Sequence, residues 1–235
     1  MKKINIIGYM PLLCLVVIVV LMTGCQTNVK KQSVTAIDLG LPSGCLWAES
    51  NLGASSCEGA GHYFFWGDTD PCEKGSRYKY VGDGHYTRGG DERYLKYVTD
   101  SEWGIVDGKV IMELQDDAAN TMLGDSWSIP TVADFNELLT YCTCREDVRN
   151  GVEGVSFIGP NGNSIFFPDL GHHADVFGIL IMPGTSFWSN SLSTDDWFDD
   201  RFAFAMSINH TSKGTEIEIG SEYRAIGYSI RPVKH

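Results

Sequence analysis

The chain is short of positive charge. Its 18 lysines and arginines face 30 aspartates and glutamates, giving a net charge of −12 over 235 residues. A surface of that sign repels phosphate backbones and anionic headgroups, which argues against nucleic acid or acidic lipid as partners. Beyond the first two dozen residues there is no apolar run near the ~20 residues that a membrane-spanning helix needs. GxSxG, HExxH and Gly-rich phosphate-loop patterns are missing, so the common hydrolase, zinc-protease and nucleotide-binding signatures have no support. Cys142 and Cys144 are separated by one residue, which is not the CxxC spacing of redox or zinc sites.

The amino-terminal segment carries its own pattern. Lys2 and Lys3 form a positive head, Leu12 to Met22 is apolar, and Thr23-Gly24-Cys25 ends the run on small residues before a thiol. A charged head, a short apolar stretch and a small-residue cleavage site predict a secretory signal peptide over residues 1–24. The ending resembles a bacterial lipobox, which implies acylation of Cys25. Each buried acyl methylene contributes about 0.8 kcal/mol to membrane attachment. Residues 25–35 then read as a polar tether, and residues 36–235 as one globular domain. Gln26 follows the cysteine where an Asp would resemble an inner-membrane retention signal, so the outer membrane is the expected location, facing either side. Removing residues 1–24, which hold two lysines and no acid, takes the net charge from −12 to −14 over 211 residues. That length suffices for a proper core.

Five cysteines remain after Cys25: Cys45, Cys57, Cys72, Cys142 and Cys144. An exported protein is free to form disulfides, but an odd number leaves at least one thiol over. Cys57 and Cys72 flank one aromatic segment and are the favoured pair. Cys142 and Cys144 read as structural.

From Ala36 onward, short strand-like runs alternate with Gly, Pro, Asn and Asp. Residues 45–48, 62–66, 201–206 and 227–233 are predicted strands. Residues 155–158 and 164–167, joined by Gly159-Pro160-Asn161-Gly162-Asn163, are predicted to form a hairpin. Asp116 and Asp117 open a short helix, with acids at its positive end. A second helix begins after Thr131, whose hydroxyl suits an N-cap, with Asp134 placed for a near capping box. Phe135, Leu138 and Leu139 share one face of that helix. The predicted class is α+β with short strands dominant.

Trp47, Trp66, Trp127 and Trp188 lie in strand-like segments and are expected in the core, with their ring N–H groups satisfied locally. Trp103 and Trp197 sit in polar surroundings and are expected near the surface. The segment Asp195-Asp196-Trp197-Phe198-Asp199-Asp200 is the most unusual in the chain. Its plain reading is a solvated acidic loop. Its carboxylates could also supply oxygens to calcium, which takes six to eight, and Trp197 offers a face for a sugar ring or a partner side chain. The spacing is not that of an EF-hand. His172 and His173 are adjacent, so in a strand they face opposite sides and read as scaffold.

Taken in order, several stretches resemble the Fibrobacter succinogenes major paralogous domain, a family abundant in Bacteroidetes lipoproteins. They are Ile37-Asp38-Leu39-Gly40-Leu41-Pro42-Ser43-Gly44, Trp47-Ala48, Asn51-Leu52-Gly53-Ala54 and Phe65-Trp66-Gly67-Asp68-Thr69-Asp70-Pro71. Lys96-Tyr97, Asp116-Asp117-Ala118-Ala119 and Ser126-Trp127-Ser128-Ile129-Pro130-Thr131 follow, then Phe187-Trp188-Ser189-Asn190-Ser191 and Ser229-Ile230-Arg231-Pro232-Val233. The resemblance spans residues 36–233. It implies a relative of the C-type-lectin-like fold shared with formylglycine-generating enzymes: two small antiparallel sheets, two helices and long irregular loops. Family members often carry a cysteine at the position of Ser50, paired with one near Cys142. Here Ser50 has no thiol, and Cys45 is nearby. The paired Glu-Pro-Asn and Trp-Asn-Asp pieces of sugar-binding C-type lectins are absent. The formylglycine-generating relatives use reactive cysteines late in the chain, and no cysteine follows Cys144, which counts against that activity and leaves a related enzyme as the third reading. The expected function is non-enzymatic binding or adhesion to glycan or protein at the cell envelope, through Asp195, Asp196, Trp197, Asp199 and Asp200. The alternative is an assembly component of a surface complex, such as a fimbrial tip or a polysaccharide-uptake apparatus.

Overall fold

The computed structural model describes residues 34–72, 93–124, 126–174, 179–182, 184–195, 197–212 and 214–235. Cys25 and Asp196 lie outside the described residues, as does the predicted signal segment. The chain divides into the units Met1–Lys30 and Lys31–His235, and every described residue belongs to the second.

The class is α+β, with strand outweighing helix. The described residues form four sheets. In the first, β2 (Leu46–Ala48) is flanked antiparallel by β1 (Ala36–Asp38) and β13 (Val233–Lys234), so Trp47 lies opposite both Ile37 and Val233. The largest sheet has five strands in the order β11-β10-β9-β12-β3. These are β11 (Gly214–Tyr223), β10 (Phe202–Thr211), β9 (Thr185–Leu192), β12 (Tyr228–Ser229) and β3 (Tyr63–Phe64). A third sheet joins β4 (Thr143–Arg149), β5 (Val152–Ile158) and β6 (Ser164–Pro168). A ribbon of β7 (His172–Ala174) and β8 (Ile179–Met182) completes the set.

The expected hairpin is present. Gly159 donates to Asn163 and Gly162 donates to Gly159. Gly162 takes φ +87°, a region open to glycine at little cost. Two expectations about the sheets need correction. The strands are neither all short nor all antiparallel. β10 and β11 run ten residues each, and β12 meets β9 in parallel at Ser229 and Phe187. The ten-residue pairing persists because β10 lies inside its sheet and buries both faces through its middle, Ala205 to Ile208, whereas β11 is the edge strand.

Among the described residues there are two α-helices, as predicted. Asp117 caps α1 (Ala118–Leu123), accepting from the Asn120 amide. Thr131 caps α2 (Val132–Tyr141) in a full capping box, its hydroxyl oxygen accepting from the Asp134 amide while the Asp134 carboxylate accepts from the Thr131 amide. Phe135 and Leu138 are buried, and Leu139 packs beside them. They meet Trp47, Phe157, Phe167 and Phe187 in one apolar cluster. Its rings make tilted or edge-on contacts, with Phe135 5.7 Å and Phe167 6.2 Å from Trp47, and Phe187 4.7 Å from Phe167. These geometries suit the ring quadrupoles. A second cluster gathers Trp66, Tyr97, Trp188 and Tyr228 with α1.

The tryptophan expectation holds in part. Trp66 Nε1 donates to Ser189 and Trp188 Nε1 donates to Phe64, whereas Trp127 is only half-buried. Trp47 is fully buried, but its Nε1 finds no acceptor among the described residues. Aromatic neighbours surround it and offer none. The Cys57–Cys72 disulfide is not formed. Cys72 packs by the small cluster of Phe65, Tyr94, Val98 and Ala225, whereas Cys57 lines a polar hollow with Glu49 and Ser50. A bridge needs Cα atoms about 4.4–6.8 Å apart. Cys142 packs half-buried at the end of α2, and Cys144 is exposed on β4.

Candidate functional site

The acidic loop joins β9 to β10. Two stacked turns shape it, with Phe198 N donating to Asp195 O and Phe202 N donating to Asp199 O. Asp195 is exposed, as the plain reading of the sequence had it, but Asp199 and Asp200 do not stand free in solvent. Asp200 is buried. One of its oxygens accepts from the amides of Thr99 (2.7 Å) and Asp100 (2.9 Å), and the other accepts from the Thr99 hydroxyl at 2.6 Å. Asp199 is gripped on both oxygens by Arg201, at 2.8 Å through Nε and 2.7 Å through the terminal nitrogen. The same guanidinium lies 4.2 Å from the centre of the Trp103 ring. Asp195 accepts from the Ser221 hydroxyl at 2.8 Å on neighbouring β11.

This bonding ties the β9–β10 loop to residues 99–103, about a hundred positions away in sequence. Between them lies an open groove of about 420 Å³, lined by Thr99, Asp100, Trp103, Ser193, Thr194, Asp195, Phe198, Asp199 and Asp200. Four of the five residues expected from the sequence are therefore described together, and three of them line the groove. Trp197 is not part of the lining. It stands at the tip of the turn with 93% of its surface exposed, next to Phe198 at 42%. Phe198 rests on Phe202, ring centres 4.8 Å apart, so the apolar tip sits on a fixed base.

The groove can offer hydroxyls and carboxylate oxygens to a polyol, with indole and phenyl faces at its edge. It is poorly built for calcium, which takes six to eight oxygens. Both oxygens of Asp199 and of Asp200 already accept hydrogen bonds, and an ion here would have to displace Arg201 or the Thr99 clamp. Thr99, Asp100 and Ser221 were not expected from the sequence. They come from distant elements, and only the Ser/Thr–Asp pairing itself gave a weak signal.

Other polar clusters serve the scaffold. Tyr97 donates to Asp116 at 2.6 Å beside Lys96, and burial with the Asp116 carboxylate holds that phenol well above its ordinary range. His172 packs edge-on to Tyr228 with its Nδ1 3.1 Å from the Gly184 carbonyl. Compared with known protein families, curated proteins and solved structures, the chain matches none.

Proposed function

We propose that the domain is a non-enzymatic binding module of a cell-envelope lipoprotein, held by an acylated Cys25 at the outer membrane and taking glycan at the groove between residues 99–103 and 193–200. The observation that carries this is Trp197. An indole 93% exposed on a turn that Asp199, Asp200 and Phe202 hold in place is a preformed apolar face beside a polar groove. Stacking a sugar ring on it costs little ordering entropy, because the turn is already fixed. The serine, threonine and aspartate lining matches sugar hydroxyls. The resemblance to the Fibrobacter succinogenes major paralogous domain and its C-type-lectin-like relatives is in keeping with this reading, as are the two helices and several small sheets.

The test is a glycan array probed with the mature domain in calcium and in chelator. Wild type is expected to bind a restricted glycan set, and Trp197→Ala to lose about 1–3 kcal/mol of that binding. An array on which wild type and Trp197→Ala are both blank would overturn the glycan reading. The anchor is tested separately. Labelled fatty acid should enter the wild-type precursor and not Cys25→Ser.

A second reading, an assembly component of a surface complex, is favoured by one feature. Leu95, Ile105, Val106, Ile111 and Leu114 all leave at least half of their surface in solvent within a single stretch of chain. Apolar exposure of that kind marks protein contact surfaces. Pull-down of the lipoprotein from envelope extracts would recover stoichiometric partners under this reading, and none under the first.

A further inference from the structure

We propose that Cys45, Asp134 and His235 form a binding site for zinc or a cation of the same class. The three residues are remote in sequence, and the fold brings them together for clear reasons. β13 pairs with β2 so that Lys234 lies opposite Leu46, and one step further along that register sets His235 opposite Cys45. The capping box of α2 then fixes the Asp134 carboxylate over the same spot through Thr131. Their donor atoms all lie within 4.8 Å of one another, and among the described residues no other three metal-type ligands gather so closely.

The spacing suits a metal better than a direct ion pair. His235 Nε2 is 3.4 Å from Asp134 Oδ2, long for a charge-assisted hydrogen bond. Two atoms bound to one tetrahedral zinc at about 2.0–2.2 Å are roughly 3.4 Å apart. A sulfur, an imidazole nitrogen and a carboxylate oxygen make a mixed set that zinc accepts, whereas calcium and magnesium prefer oxygen alone. Both Thr131 hydrogen bonds fall on this same Oδ2 and orient the carboxylate, so a cation either shares Oδ2 at the cost of the Thr131 hydroxyl bond or takes Oδ1 beside it.

Access is one-sided. Cys45 and Asp134 are buried, and His235 is exposed. The histidine therefore sits on the solvent side, where a fourth, water ligand would complete the tetrahedron. Without a metal, Cys45 is a buried thiol. Binding exchanges one proton for the cation. The S–H bond breaks, the sulfur–metal bond forms, and the proton leaves to solvent.

The experiment titrates the chelator-treated mature domain with cobalt(II) as a spectroscopic probe, followed by competition with zinc. We expect a one-to-one complex with a thiolate-to-cobalt charge-transfer band, a proton released per ion bound, and a higher melting temperature with zinc. Cys45→Ser should abolish the band. His235→Ala changes an exposed side chain and should keep the metal-free melting temperature while lowering affinity at least about tenfold. Three results would overturn the site: no thiolate band in wild type, a band that persists in Cys45→Ser and so belongs to another cysteine, or wild-type affinity in His235→Ala. Should Cys45→Ser fail to fold, the His235→Ala comparison decides alone.

Discussion

The Asp200 clamp separates two accounts of the acidic loop, because they predict opposite signs. Were the loop a set of mutually repelling carboxylates, removing any one of them would stabilise the protein. In the structure Asp200 is 2% exposed and takes hydrogen bonds from two backbone amides and one hydroxyl, at 2.6–2.9 Å. Asp200→Ala would leave the Thr99 and Asp100 amides and the Thr99 hydroxyl without an acceptor. Each orphaned donor costs about 1–3 kcal/mol. The three share one group and do not add fully, so the expected loss is about 3–5 kcal/mol, typical of a broken buried charged network. Asp200→Asn should be far milder. Its amide oxygen can keep both backbone donors, and its NH₂ can donate to a Thr99 hydroxyl that turns to accept. What is lost is charge assistance, about 0.5–1.5 kcal/mol. Urea unfolding of the mature domain, followed by tryptophan fluorescence, measures both. A wild-type or raised midpoint for Asp200→Ala would refute the clamp. So would equal losses for the two variants, since that would make the charge and not the hydrogen bonds the cause.

Other perturbations test the scaffold and the site. Thr131→Ala removes the capping box and should cost about 0.5–2 kcal/mol, while Leu138→Ala should cost about 2–5 kcal/mol from the lost core contacts; urea midpoints within error of wild type would contradict the packing of α2. The burial and neighbouring carboxylates that push the Cys45 thiol up to about 12 oppose thiolate formation, so in chelator Cys45 should resist iodoacetamide at pH 8 in the folded protein and react on unfolding; peptide mapping showing rapid native labelling would count against its placement. Trp197→Ala should leave stability within about 0.5 kcal/mol, as expected of an exposed side chain outside any network, and a large drop in melting temperature would mean the indole is packed after all.

Local signals in the sequence reached some elements and not others. Thr131 with Asp134, and Phe135 with Leu138, are contacts three residues apart, so the cap and buried face of α2 could be read directly. The β5–β6 hairpin was readable because its turn chemistry is contiguous. β11 lies outside the predicted strands although its Thr215-Glu216-Ile217-Glu218-Ile219 run alternates as a half-buried strand does; its glutamates keep the stretch polar overall. β4 was hidden by its charges, which it can carry as an exposed edge strand. In the candidate site, Trp197 was recognisable from its polar neighbours. The fate of Asp199 and Asp200 was not, since it depends on Arg201 geometry and on Thr99 a hundred residues away. Charge density in a sequence does not say which carboxylates are already spoken for.

Among the described residues, the irregular loops are held in place without a disulfide between Cys57 and Cys72. Two fully buried arginines act as cross-links. Arg231 donates to the Asn51 side chain, to the carbonyls of Ala48 and Glu49, and at 2.7 Å to Phe166 on β6, with its guanidinium 4.3 Å from the Phe167 ring centre. Arg224 donates to the carbonyls of Lys96, Tyr97 and Asp200 and lies against Trp66 and Tyr94. A buried cation is costly unless its donors are met, and the planar guanidinium with five N–H groups can meet several carbonyls at once, as a lysine cannot. Each arginine therefore makes its surrounding loops mutually dependent: none of those carbonyls can leave without stranding charge. Arg224 binds the backbone of the very residue whose side chain clamps Thr99. The rigidity of the Trp197 turn and the burial of Arg224 are thus one arrangement, which is why a binding tip can be held on a loop so rich in like charge.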